Sequence, residues 1–224
     1  MGERLKGKAA IVAGAGQSPG ETIGNGRAAA ILYAREGARV LVVDRRIDSA
    51  LETKAMIDEE DGAAQAFEAD VTQAQGCRAM AEACLAAYGR VDVLHNNVGG
   101  LDDDRGILEL GEETWHRLVD LNLTSMMLAC QAVLPHMIAQ GAGAIVNISS
   151  VAAVIDCPLL AYRVSKAGVN ALTQSVAMTG ARHGVRANAV LPGLMDTPFA
   201  VESIMALTGQ SRDEVVASRD AQVP

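Results

Sequence analysis

The sequence predicts an α/β fold, a doubly wound parallel sheet with helices on both faces. Three observations predict it. Short apolar runs alternate along the whole chain with longer, alanine-rich stretches that hold few breakers. Four of those runs are continuous rather than alternating polar and apolar, as strands covered on both faces are. A glycine-rich turn, "GAGQSPGETIGNG", joins the first run to the first helical stretch.

The elements follow in order. The runs "AAIVAG" (9–14), "ARVLVVD" (38–44), "AQAFEAD" (64–70), "VDVLHNN" (91–97), "GAIVNIS" (143–149) and "VRANAVLPG" (185–193) read as strands. The spacing predicts helices over 24–36, 47–61, 73–88, 112–140 and 161–182, with Gly37 and Gly89 where C-caps belong. The stretch 198–219 reads as one or two further helices. Strand alternating with helix requires right-handed crossovers and hence a parallel sheet. No linker, repeat or low-complexity segment interrupts the pattern, so residues 1–224 read as a single domain.

Composition removes several function classes. The net charge is −8 and there is no basic run, which argues against a nucleic-acid partner. Cysteines 77, 84, 130 and 157 show neither a CxxC pair nor metal-ligand spacing, so they read as reduced, mostly buried thiols of a cytoplasmic protein. Cys77 and Cys84, seven apart, share a helix face, where packing is the simpler account. The four histidines are dispersed, and no metal site is predicted. The N-terminus is charged, then apolar, but the apolar part is too short for a signal peptide. Lys6 stands where N-myristoylation needs Ser or Thr. No apolar stretch reaches membrane-spanning length. A small molecule remains as partner.

The glycine turn suits a phosphate. A helix that starts after such a turn offers free N–H groups and the positive end of its dipole, and glycines let a backbone come close to a pyrophosphate. A GxG in isolation is weak evidence. Asp44 strengthens it: it ends the second strand, where a carboxylate can accept both ribose hydroxyls of a dinucleotide and repel a 2′-phosphate. A solvated strand-end charge is the plainer alternative. Arg45 and Arg46 follow at once and leave NADP open beside NAD.

Tyr162 and Lys166 lie four apart and share a helix face. Ser149 and Ser150 end the preceding strand, at the sheet edge where doubly wound proteins bind ligands. A free tyrosine ionises near pH 10, and a neighbouring lysine cation together with a cationic nicotinamide would favour the phenolate. An ordinary amphipathic helix explains the same four-residue spacing.

Taken in order along one chain, these features resemble the short-chain dehydrogenase/reductase (SDR) family, over nearly the whole length. The family's TGxxxGxG maps to Gly14, Gly24 and Gly26. Its adenine-contacting Asp-Val pair matches Asp70 and Val71, and its NNAG is "NNVG" here, with Asn97 and Gly99. Its catalytic set matches Asn122, Ser150, Tyr162 and Lys166. Its PG after the sixth strand matches Pro192 and Gly193, with Thr197 where the carboxamide is held. The resemblance implies a Rossmann-type sheet of order 3-2-1-4-5-6, NAD as cofactor with NADP possible, and an NAD(P)-dependent oxidoreductase acting on an alcohol or ketone. It further implies Tyr162 as general acid/base, and a homodimer or homotetramer built on the long helices.

Four departures stand out. Ala13 replaces the usual Thr. The glycine loop is six residues longer, with Ser18 and Thr22 as further phosphate contacts and Glu21 expected to point away. The interval from serine to tyrosine is one residue short, which leaves Ser149 as a second candidate for the serine. The seventh strand is missing from 1–224, which would expose a sheet edge. Residues 195–212 read as a substrate lid, with Val151, Ala152, Leu159, Leu194, Met195 and Phe199 as apolar lining. The acidic stretch "LDDDRG" (101–106) reads as a charged rim that disfavours an anionic substrate. A catalytically silent NAD(H) sensor, or a structural subunit of the same fold, is the alternative. An intact Asn122-Ser150-Tyr162-Lys166 set argues against it.

Overall fold

The computed structural model describes residues 2–221, apart from the Leu207 side chain, so the extreme ends of the 1–224 domain lie outside the described residues. Six parallel strands form one sheet in the order β3-β2-β1-β4-β5-β6. They are β1 (Ala9–Ala13), β2 (Arg39–Asp44), β3 (Ala63–Glu68), β4 (Val93–Asn96), β5 (Gly143–Ile148) and β6 (Val185–Val190). The helices are α1 (Asn25–Arg35), α2 (Ile47–Asp58), α3 (Ala74–Tyr88), α4 (Glu112–Val119), α5 (Ser125–Gln140), α6 (Leu160–Gly180), α7 (Pro198–Thr208) and α8 (Arg212–Asp220). Each predicted element is present, with ends displaced by at most three residues. A π-helical turn, Asp120–Thr124, joins α4 to α5.

All five residues of β1 are buried, as its continuous apolar run requires. Alternate residues face opposite cores. Ile11, Leu41, Leu94 and Ile145 pack with Met80 and Cys84 of α3 and with Val133 and Met137 of α5. Val12, Val40 and Val42 pack on the other face with Ala30 and Ile31 of α1 and Ile57 of α2. Small residues on α1 bring that helix close to the sheet, which is how a core poor in aromatics reaches close packing. Cys77 and Cys84 are buried packing groups, and burial pushes their thiols up to about 11 and about 12.

Helix Glu112–Gln140 runs 29 residues and is apolar enough, by length and composition, to cross a membrane, more than the sequence pattern alone indicates. Its buried residues Met126, Ala129, Cys130, Val133 and Met137 instead complete the core. β6 pairs only with β5, so among the described residues it is a sheet edge and no seventh strand covers it.

His95, on β4, is 6% exposed and its Nδ1 lies 2.9 Å from the Tyr33 hydroxyl. Burial holds its imidazole down to about 4. The unfolded chain, with a histidine near 6.5, therefore binds more protons than the folded one between these values. His95 contributes stability that is complete above pH 6.5 and lost as pH falls towards 4, about 3 kcal/mol in all. Urea unfolding from pH 7 to pH 4 checks this. His95→Gln should flatten the slope in that window, and an unchanged slope would rule the histidine out.

Candidate active site

The strands' C-terminal ends, the glycine loop, α6 and α7 enclose one cleft of about 1100 Å³. Its floor begins at Gly14, which turns the chain out of β1 at φ +78, and where an added Cβ would meet Val98 at 2.9 Å. Gly26 opens the first turn of α1 so close to this bend that a Cβ would sit 1.9 Å from the Gly14 carbonyl oxygen. Asn97 donates from Nδ2 to the same oxygen at 3.1 Å, tying β4 to the loop. Gly24 is the N-cap of α1, and its N–H donates to Gln17 Oε1 at 2.8 Å. Gly14 and Gly26 form a cradle that a side chain would fill, at a helix N-terminus, and so fit a pyrophosphate.

The longer loop is tied down on both sides. Gln17 N–H donates to Ser49 Oγ at 2.8 Å, Thr53 Oγ1 donates to the Ala15 carbonyl at 2.8 Å, and the buried Arg27 guanidinium donates to Thr53 Oγ1 and Glu52. Towards α7, the Gly20 Cα approaches Pro198 closely enough that no side chain would fit, and Glu21 points away from the cleft to pair with Arg212 at 3.1 Å. Arg212 also pairs with Asp196, so one residue links the loop to the segment after β6. Ser18 lines the cleft and Thr22 does not.

Asp44 lines the cleft at the end of β2. Its Oδ2 accepts from Gly16 N–H at 3.1 Å and its Oδ1 from Arg46 N–H at 3.0 Å, which fixes the carboxylate's direction. The Arg46 guanidinium is bound to the Gln17 carbonyl. Arg45 remains exposed on the cleft wall. Asp70, Val71, Gly99, Pro192, Gly193 and Thr197 also line the cleft. Asp70 accepts from Thr72 N–H and Oγ1, and Thr197 caps α7 by accepting from Ala200 N–H at 3.3 Å.

The reactive end holds Ser150, Tyr162 and Lys166 together. The Tyr162 side chain lies beside Ser150, whose Oγ accepts from Ala152 N–H at 3.2 Å. Lys166 Nζ donates to the Ile148 carbonyl at 2.8 Å and lies 5.7 Å from the Tyr162 ring centroid. Both serines line the cleft, and they differ in their bonds: Ser149 Oγ donates to the Lys166 carbonyl at 2.8 Å, whereas Ser150 Oγ only accepts, from Ala152 N–H at 3.2 Å, and lies beside Tyr162. Burial lowers Lys166 to about 8, because a desolvated ammonium is disfavoured. Burial raises Tyr162 above its ordinary value, outweighing the lowering by the neighbouring Ser150 side chain. The sequence-based expectation of a phenolate rests on Lys166 and a cationic nicotinamide together; in the protein by itself burial favours the phenol. Lys166 is itself weakened as a cation by the same desolvation.

Asn122 and Lys166 flank Gly99, where an added Cβ would meet Asn122 Oδ1 at 3.0 Å and Lys166 Nζ at 3.2 Å, and Asn122 lies on the interior side. It is fully buried in the π-helical turn and its side chain does not reach the cleft. Its Oδ1 accepts from Gly100 N–H at 2.8 Å and its Nδ2 donates to the Gly100 carbonyl at 2.9 Å, so it clamps the strand-to-helix loop behind Gly99. Of the apolar lining predicted, Met195 and Phe199 line the cleft; Val151, Ala152, Leu159 and Leu194 do not.

The "LDDDRG" stretch is not simply a rim. Asp102 and Asp103 are exposed, but Asp104 is 1% exposed and accepts hydrogen bonds from Ala161 N–H and Tyr162 N–H. No local pattern marks it, since its partners lie 57 and 58 residues away.

The family model described as short chain dehydrogenase matches residues 8–206. A 7alpha-hydroxysteroid dehydrogenase of Clostridium sardiniense is 37% identical over 214 residues, 94% of this chain and 78% of that protein. A (3R)-3-hydroxyacyl-CoA dehydrogenase of Canis lupus familiaris is 35% identical over 205 residues, 88% of this chain and 77% of that protein. Among solved structures, NAD+-bound xylitol dehydrogenase superposes with a TM-score of 0.87 at 28% identity, over 99% of this chain and 86% of that one. A 7 alpha-hydroxysteroid dehydrogenase complexed with NADH and 7-oxo glycochenodeoxycholic acid gives 0.80 at 33% identity, over 87% of this chain and 73% of that one. The match over most of the chain, with the strand order 3-2-1-4-5-6 these structures share, leads to one conclusion: this chain belongs to the short-chain dehydrogenase family.

Proposed function

We propose that the protein is an NAD(H)-dependent alcohol/carbonyl oxidoreductase with Tyr162 as its general acid/base. The observation that carries this is Ser150, Tyr162 and a buried Lys166 brought together at the end of a glycine-floored cleft, with Lys166 Nζ 5.7 Å from the Tyr162 ring centroid. Bound NAD(H) supplies the acceptor or donor of the hydride at its nicotinamide ring. Asp44, held by Gly16 and Arg46 N–H groups, accepts the ribose hydroxyls and disfavours a 2′-phosphate. Tyr162 takes the proton of the substrate hydroxyl in oxidation and returns it in reduction. Ser150 donates to the substrate oxygen as charge grows on it. Lys166 holds the nicotinamide ribose and provides positive charge beside the phenol. Any water that Asn122 holds for proton relay meets its main chain, since its side chain is taken by Gly100.

Residues 195–212 act as the lid, with Met195 and Phe199 facing the cleft and favouring a small or medium apolar alcohol or ketone. The hydroxysteroid specificity of named relatives supports a secondary alcohol. The protein works in the cytoplasm as a homodimer or homotetramer built on the long helices, where Met127, Val164 and Met178 stand exposed.

The test is a pair of fluorescence titrations with NADH and NADPH, followed by a panel of secondary alcohols and ketones. NADH should bind at least about 10-fold more tightly than NADPH, as a ribose-directed carboxylate implies. Asp44→Ala should remove most of that preference. Preference for NADPH would transfer the cofactor assignment to Arg45. Tight NADH binding with no turnover across the panel would favour the silent sensor.

A further inference from the structure

We propose that Asp104 is a positioning residue for Tyr162: it caps α6 from a distant loop and holds the helix's first turn, with the tyrosine, at the cleft. This rests on the reading of Tyr162 as acid/base. A helix leaves the N–H groups of its first turn without intrahelical partners. The residue at the local cap position of α6 is Leu159, whose side chain offers no acceptor. The loop after β4 supplies what is missing. Leu160 N–H donates to the Arg105 carbonyl at 3.1 Å, Ala161 N–H to Asp104 Oδ1 at 3.1 Å, and Tyr162 N–H to Asp104 Oδ2 at 2.8 Å. Three successive donors are thus met by two consecutive residues of another segment.

The loop is built to present this carboxylate. Asp104 N–H donates to the Leu101 carbonyl at 3.1 Å, and Asp103 adopts a left-handed φ of +62, a conformation that Asp tolerates better than most residues. Arg105 N–H donates to Asp104 Oδ1 at 2.9 Å and its guanidinium bends back to the Asp104 carbonyl at 2.7 Å. Arg117 of α4 holds the Asp102 carbonyl at 2.7 Å. A buried carboxylate is costly unless hydrogen-bonded, and this one accepts from three N–H groups at the positive end of a helix.

The second turn of α6 has anchors of its own. Lys166 Nζ is bound to Ile148 and its carbonyl accepts from Ser149. Losing Asp104 therefore loosens Tyr162 while leaving Lys166 in place, which separates this role from general support of the fold. A displacement of about 1 Å at a reacting group can lower a rate about 100-fold.

The experiment compares Asp104→Ala, Asp104→Asn and Tyr162→Phe with the wild type, measuring kcat, NADH Kd and amide exchange at Ala161, Tyr162 and Lys166. The expected result is a kcat about 100-fold lower in Asp104→Ala, with Asp104→Asn between it and the wild type because one acceptor survives. NADH Kd should stay within about twofold, since Lys166 keeps its place. Exchange should quicken at Ala161 and Tyr162 and not at Lys166. Where Asp104→Ala does not fold, Asp104→Asn carries the test. Wild-type kcat in the folded Asp104 variants, or a fall in NADH affinity parallel to that in kcat, overturns the positioning role. If Tyr162→Phe alone keeps full turnover, the proposed reaction fails instead, and the exchange data still report whether Asp104 caps the helix.

Discussion

Tyr162→Phe is expected to lower kcat by about 10³-fold or more while leaving NADH affinity within about twofold, because positioned acid/base groups supply effects of this size. The ring would remain packed at the start of α6 beside Lys166. Only the hydroxyl, which lies beside Ser150, would be lost. The pH dependence sharpens the test. Burial holds the Tyr162 phenol above its ordinary value in the protein by itself, and Lys166 is drawn down to about 8. For Tyr162 to serve as a base near neutrality its pKa must fall by at least about three units, roughly 4 kcal/mol of differential stabilisation. A cationic nicotinamide, when bound, would add its positive charge to that of Lys166 in favouring the phenolate. The expected result is that kcat/KM for alcohol oxidation rises with pH along a limb that Tyr162→Phe abolishes, measured by nicotinamide absorbance at saturating cofactor. Wild-type turnover in the variant would end the mechanism.

Gly26→Ala is expected to weaken NADH binding by at least about 100-fold and to lower Tm by roughly 5 °C, as overpacking of 1–3 kcal/mol does in a domain of this size. The added methyl would meet the Gly14 carbonyl oxygen at 1.9 Å and Asn97 Nδ2 at 2.6 Å. Both neighbours are held, one as backbone and the other by its bond to that backbone. Helix α1 would have to move away from the turn, taking with it the N–H groups that face a pyrophosphate. Gly24→Ala is the control. Its nearest neighbour would lie at 3.6 Å, an ordinary contact, and its φ is −75, so binding should be nearly unchanged. Titration and thermal melts of the two variants decide the matter. Equal behaviour would mean that the cradle does not act through close approach of these backbones.

The sequence by itself determined the six strands, the helices between them and the parallel arrangement. Those features depend on patterns within a few residues: continuous apolar runs, alanine-rich stretches, and glycines where a helix ends or the chain must turn. The motifs that lie on these elements were legible for the same reason. Gly14, Gly26, Asp44, Asn97, Tyr162 and Lys166 all face one cleft because each sits at the C-terminal edge of a strand or the start of the helix that follows. Tertiary structure alone decided the remainder. Ser149 and Ser150 are neighbours in the chain, and only the position of α6 gives the first the Lys166 carbonyl as partner and sets the second beside Tyr162. Asn122 turns to Gly100 because a π-helical turn rotates it into the interior. Three glycines alike in the motif differ in what surrounds them. Asp104 looked like one charge among three until the fold brought its carboxylate to a helix end 57 residues away. Burial, remote hydrogen bonds and the pKa values they set arise from groups far apart in the chain, and no local spacing records them.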